Sequence, residues 1–168
     1  MAVASLAYGV LTVLLLNGKT ERRQLVAEHP DAVQVTARLP LRANLTVLEN
    51  ISIVPQFRRG ESPEAAARYA WSLLERVGYT ACARLLDPDL SHEERFAAKL
   101  LRAVALRPSI ILIDRPGRLL PDTYYPPFVE AMLAALQGES GQCWGTGVPG
   151  IEQQALTSLE IGVEDRAL

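Results

Sequence analysis

A chain of 168 residues suits one domain, 1–168, long enough to bury about two-thirds of its extended surface. A formal charge of −2, with scattered basic residues that are arginine except for Lys19 and Lys99, excludes a general attraction to nucleic acid or anionic membranes. Cys82 and Cys143 have neither CxxC spacing nor a disulfide-rich context, which fits a reducing cytosol.

The uncharged apolar run from Met1 to Leu16 lacks a basic leader region and is too short to span a bilayer. It reads as a buried strand or helix. Within it Leu11 to Leu16 is a strand stopped by the turn dipeptide Asn17-Gly18, and Ala32 to Thr36 is a second candidate strand. Thr46 and Glu49 form a capping box that opens a short helix ending before Pro55, followed by a loop with Arg58, Arg59 and Gly60. Ser62-Pro63 supplies an N-cap and a first-turn proline. Ala66, Ala70, Leu73 and Val77 then recur at helical spacing up to Gly78.

Ser91 and Glu94 form a second capping box, and the helix behind it carries the apolar stripe Phe96, Ala97, Leu100, Leu101 and Val104 until Pro108. Ser109 to Ile113 is a continuous apolar strand of the kind buried in parallel sheets. Tyr124 to Gln137 is a further helix with Val129, Met132, Leu133 and Leu136 inward. Gln142 to Thr146 and Ser158 to Val163 are weaker strands. Strands alternating with helices predict an α/β layered fold.

The run Leu90 to Asp122 resembles the signature-helix-to-Walker-B segment of ATP-binding-cassette (ABC) ATPases, LSGGQ through DEPTSGLD. Leu45 to Asn50 is similar to the family's LTVxEN element, and Leu73 to Tyr79 to its LLExVGL block, in matching order and spacing. Three blocks in register are specific where one would not be. The resemblance implies a P-loop-NTPase-like α/β fold with a helical subdomain at about residues 44–90.

It also exposes what has changed. His92, Glu93 and Glu94 replace the two glycines and the glutamine after Ser91, and Arg115 replaces the catalytic glutamate after Asp114. The Q-loop glutamine position falls on Ala37, the D-loop aspartate on Pro121 and the switch histidine on Pro149. Gly18-Lys19-Thr20 is the tail of a phosphate-loop motif, but the loop would be Leu14-Leu15-Leu16-Asn17, too bulky to wrap a triphosphate. Gly18-Lys19 fits instead the turn after the family's phosphate-binding helix, so the fold is expected to lack the N-terminal phosphate-loop segment. Lys19 is a weak phosphate candidate, and Ser91 and Asp114 are vestiges of the signature and Walker B sites.

Each of these residues also has an ordinary structural role. Acidic residues in a first helical turn favour the dipole, and Arg115 serves as a surface cation or a salt bridge to Asp114. His29 and His92 read as solvent-facing, without a metal-ligand cluster. The stripe Arg95, Lys99 and Arg102 reads as a solvated face rather than a nucleic-acid contact. Tyr69, Trp71, Tyr124 and Tyr125 read as core or partner surface.

The resemblance thus implies a non-hydrolysing, degenerate ABC-type subunit, not an active enzyme, needing neither ATP nor magnesium. Its partners would be a transporter permease, meeting the Ala37 to Pro55 surface, or an active ATPase subunit. The setting would be cytoplasmic, peripheral at the inner membrane, with a lean toward phospholipid importers of outer-membrane asymmetry. An active ATPase with a remodelled site is the alternative; a stand-alone α/β interaction domain or a functionless gene fragment is the third. Loss of an upstream strand would bare the flank of Ser109 to Ile113 and favour self-association or transporter binding.

Overall fold

Among the described residues, four short strands form one parallel sheet: β1 (Val10–Leu15), β2 (Val33–Val35), β3 (Ile111–Asp114) and β4 (Ser158–Val163), in the order β1-β4-β3-β2. This computed structural model describes residues 10–15, 19–30, 32–108, 111–137 and 158–163. The expected strand Gln142 to Thr146 and the switch position Pro149 lie outside the described residues. The pairs Val33 with Ile111 and Ile111 with Leu159 set the register. Because every pairing is parallel, all four carboxyl ends open on one edge. In open α/β sheets that edge is where ligands bind.

The helices are α1 (Lys19–Glu28), α2 (Val47–Arg59), α3 (Pro63–Val77), α4 (His92–Val104), the single turn α5 (Pro116–Leu119) and α6 (Tyr125–Gln137). Two 3₁₀ turns, Thr80–Cys82 and Asp87–Asp89, lead from α3 to α4. Sequence chemistry sets most starts. Thr46 and Ser91 each accept from the third residue of their helix, whose glutamate reaches back, and Ser62 accepts from Ala65 N beside Pro63. Gly60 and Gly78 end α2 and α3 at φ of 64° and 76°, a left-handed region that side chains resist.

The core lies where α3, α4 and α6 meet the sheet. Ala66, Ala70 and Leu73 of α3, Phe96, Leu100, Leu101 and Val104 of α4, and Val129, Met132, Leu133 and Leu136 of α6 are all buried, as their spacing requires. Cys82 joins them at 1% exposure, and burial, reinforced by the Glu94 carboxylate, pushes its thiol up to about 11.

Four expectations need correction. Helix α2 does not stop before Pro55 but runs through it to Arg59. Proline removes one backbone bond, and the helix continues because Pro55 is buried and the Gly60 N–H closes the last turn on Gln56 O and Pro55 O. Strand β3 has no bare flank, because β2 pairs on one side and β4 on the other. Among the described residues, the element before Lys19 is the strand β1 rather than a helix, and Lys19 is the first residue of α1. Finally, the stripe Arg95, Lys99 and Arg102 on α4 is not a freely solvated face: Lys99 is buried, and Arg95 and Arg102 are only partly exposed.

Candidate functional site

The carboxyl edge of the sheet gathers Thr36 and Ala37 after β2, Asp114 at the end of β3, Arg115 beside it, and the start of α1 at Lys19 after β1. Backbone register aligns Asp114 with Gly162, and Gly162 with Leu14, so β1 and β3 end level across β4. The Asp114 carboxylate is already engaged. Its Oδ2 accepts from Arg115 Nη2 at 3.3 Å and from Thr36 Oγ1 at 3.4 Å. Both members of the ion pair are largely enclosed, with side-chain exposures of 13% and 15%. Arg115 is therefore the salt-bridge partner, not a surface cation. Its backbone sits at φ 50°, which an arginine adopts only under local constraint. A guanidinium stays protonated at neutral pH, so it cannot take a proton from water. It holds the Asp114 carboxylate. Among the described residues no group of three or more His, Cys, Asp or Glu could hold a metal ion.

The second part of the site is the N-terminus of α4. Ser91 Oγ accepts from Glu94 N at 3.1 Å, and Glu94 Oε2 accepts from Ser91 N at 2.9 Å. We expect Ser91→Ala to lower unfolding free energy by about 0.5–2 kcal/mol in a urea melt, because one orphan N–H loses its acceptor. An unchanged midpoint would remove Ser91 from the capping role.

The side chains at the next two positions turn back onto the protein. His92 Nδ1 lies 3.1 Å from Asp122 Oδ2, and Glu93 Oε1 accepts from Thr123 Oγ1 at 2.8 Å. Tyr79 also donates to Glu93, at 3.5 Å, and burial followed by the Glu93 charge pushes its phenol up to about 12. His92 is exposed, as expected, whereas His29 is only partly so and its Nε2 is covered. The first turn of α4 is thus stitched to the loop after α5.

Along α4 the three long cations each reach a loop. Arg95 pairs with Asp87 at 2.8 Å and donates to the carbonyls of Asp87 and Leu90. Lys99, only 6% exposed, donates its Nζ to Thr36 O at 3.1 Å. Arg102 donates to Pro40 O at 2.8 Å and Leu39 O at 3.1 Å. The physical reason is geometric. Helix α4 is buried almost all round, so its long side chains run to the carbonyls of neighbouring loops, of which Thr36 O is buried.

Sequence reasoning did not single out Lys99, Thr36 or Asn50 as positioning groups. Asn50 is 1% exposed, its amide donating to the carbonyls of Arg42, Leu45 and Thr46 while its oxygen accepts from Arg42 N. A polar residue on the inward side of an otherwise amphipathic helix was the available signal. Of the aromatics, Tyr69 lies under the guanidiniums of Arg59 and Arg107, at 5.5 and 5.3 Å from the ring centre. Trp71 is partly exposed and bonded to Glu75, Tyr125 packs on the core, and Tyr124 is 80% exposed.

No protein-family model matches the chain. Among solved structures it superposes on a dimeric post-hydrolysis state of the ATP-binding cassette MJ0796 bound to ADP and Pi. The TM-score is 0.57 at 20% identity, covering 85% of this chain and 56% of that one. The fold is that of an ABC ATPase cassette.

Curated sequences point the same way. An uncharacterized ABC transporter ATP-binding protein of Mycobacterium tuberculosis is 38% identical over 106 residues, 62% of this chain and 42% of that protein. The cell division ATP-binding protein FtsE of Haemophilus influenzae is 33% identical over 101 residues, covering 60% and 43%. The glutamine transport ATP-binding protein GlnQ of Escherichia coli is 33% identical over 90 residues, covering 54% and 38%. The matched segment thus spans less than half the length of these ABC relatives. Among the described residues no helix is long and apolar enough to cross a membrane.

Proposed function

We propose that this chain is a non-hydrolysing, degenerate ABC-type subunit that acts by docking to a transporter rather than by turning over ATP. The observation that carries this reading is the Asp114–Arg115 pair: the cation stands where the family places its catalytic glutamate and occupies the carboxylate next to it. The self-stitched first turn of α4 supports it, since His92 and Glu93 are spent on Asp122 and Thr123. Docking is supported by the relatives, whose names describe ATP-binding proteins of transport systems. The permease would meet the Ala37 to Pro55 surface, which includes the exposed Leu39; an active ATPase subunit or a second copy would dock beside it. On this reading the subunit works in the cytoplasm, peripheral at the inner membrane. Phospholipid import is the substrate class we favour, on the signature-helix neighbourhood of the sequence alone.

A second reading, an active ATPase with a remodelled site, is favoured by one observation. Strand β1 precedes α1, whose first residue is Lys19, and a strand before a helix is the order that a phosphate loop requires. One set of measurements separates the two. We expect the purified chain to bind ATP–Mg²⁺ no more tightly than millimolar, and Arg115→Glu to show no ATPase activity, because parts acting as a unit are not rescued singly. Low-micromolar binding lost in Lys19→Ala, or turnover in Arg115→Glu abolished by Asp114→Ala, would establish the second reading instead.

A further inference from the structure

The segment following β2 is tied to α4 more tightly than its surface position requires. Arg38, Leu39, Pro40 and Arg42 are all exposed, yet two cations of α4 take up the carbonyls of Thr36, Leu39 and Pro40. We infer that Lys99 and Arg102 form a lock that fixes the segment Thr36 to Arg42 to α4, and that Thr36 carries the lock on to Asp114. The sheet edge, this segment and the helix then move as one body.

The lock is built from a charge that has left water. Lys99 is 6% exposed, and burial, with the neighbouring Arg102 charge, pulls its amine below the ordinary lysine value. A buried ammonium is held in place by the acceptor it finds, and that acceptor is Thr36 O. Thr36 in turn donates its hydroxyl to Asp114 Oδ2, which Arg115 already holds. Losing the ammonium would leave the Thr36 carbonyl buried without its charged donor and detach the segment from α4 at its first residue. The stem of Lys99 alone cannot replace the contact. In an ABC cassette this segment corresponds to the Q-loop region, so a lock here would suit a subunit that does not respond to nucleotide. The lock itself is a property of the chain without nucleotide and stands apart from the reading of ATP binding.

Hydrogen exchange on the full chain tests it. The amides of Arg38, Leu39 and Arg42 are bonded to Thr36 Oγ1, Thr36 O and Asn50 Oδ1, so they report on the segment. Lys99→Met keeps the length of the stem and removes the charge. We expect those three amides to exchange about tenfold faster or more in the variant, while Leu73 and Leu74 in α3 keep their protection. If Lys99→Met does not fold, Arg102→Gln, at a partly exposed position, is expected to accelerate the same amides alone. Unchanged exchange at Arg38 and Leu39 would overturn the lock. So would equal acceleration in α3, which would mark a general loss of stability.

Discussion

Phe96→Ala is expected to lower the unfolding free energy by about 3–5 kcal/mol, the range for emptying a buried aromatic site. Phe96 is 1% exposed and stands on α4, the helix buried almost all round. Its ring centre lies 6.0 Å from that of Phe128 at an interplanar angle of 59°, a tilted pair that joins α4 to α6. Truncation removes both the buried area and this pairing, and the flanking helices cannot close the cavity without moving α4 off the sheet. A guanidinium melt would read the loss as a lower midpoint. A change below about 1 kcal/mol would mean that the site collapses freely, against the packing described.

Asn50→Asp is expected to cost about 3–5 kcal/mol at neutral pH, although it changes one atom and almost no volume. Two amide hydrogens of Asn50 serve three carbonyls at 3.1, 3.0 and 3.0 Å, while Oδ1 accepts from Arg42 N at 2.8 Å. An ionised carboxylate keeps the Arg42 bond but turns a second oxygen onto three carbonyl oxygens, at a position 1% exposed. The introduced carboxyl can donate only when protonated, so the fold raises its pKa above the unfolded value. The folded state then binds more protons than the unfolded one, and stability must fall as pH rises through that window. The variant should therefore regain part of its stability toward acid relative to the parent. A variant as stable as the parent at neutral pH would show that Asn50 does not organise the Arg42 to Thr46 turn.

Much of the local architecture is legible without coordinates. The capping boxes at Thr46 and Ser91, the Ser62-Pro63 start and the Gly78 stop each depend on groups within a few residues of one another. The apolar stripes of α3, α4 and α6 likewise mark their buried faces. The candidate site is partly legible too. The neighbour Asp114 was legible as a partner of Arg115, but the partners of His92 and Glu93, Asp122 and Thr123, are seen only in the fold.

The sequence by itself marked the strands and the helices α2, α3, α4 and α6 but not α1 (Lys19–Glu28), and it shows which residues stand at Ala37, Glu93 and Arg115. It did not carry α2 through Pro55, because proline's local penalty is offset by burial of Pro55 and closure of the helix at Gly60. Nor could it place β3 between two partners, since parallel pairing depends on where crossovers return. Only the tertiary structure decided the fate of the α4 cations. By periodicity Lys99 and Arg102 lie on a charged stripe, and a charged stripe reads as solvent-facing. Lys99 meets a carbonyl 63 residues away and Arg102 one 62 residues away, and such partners exist only after the sheet edge has folded against the helix. Burial of a charge is settled by the acceptor that arrives, and no local pattern records its arrival.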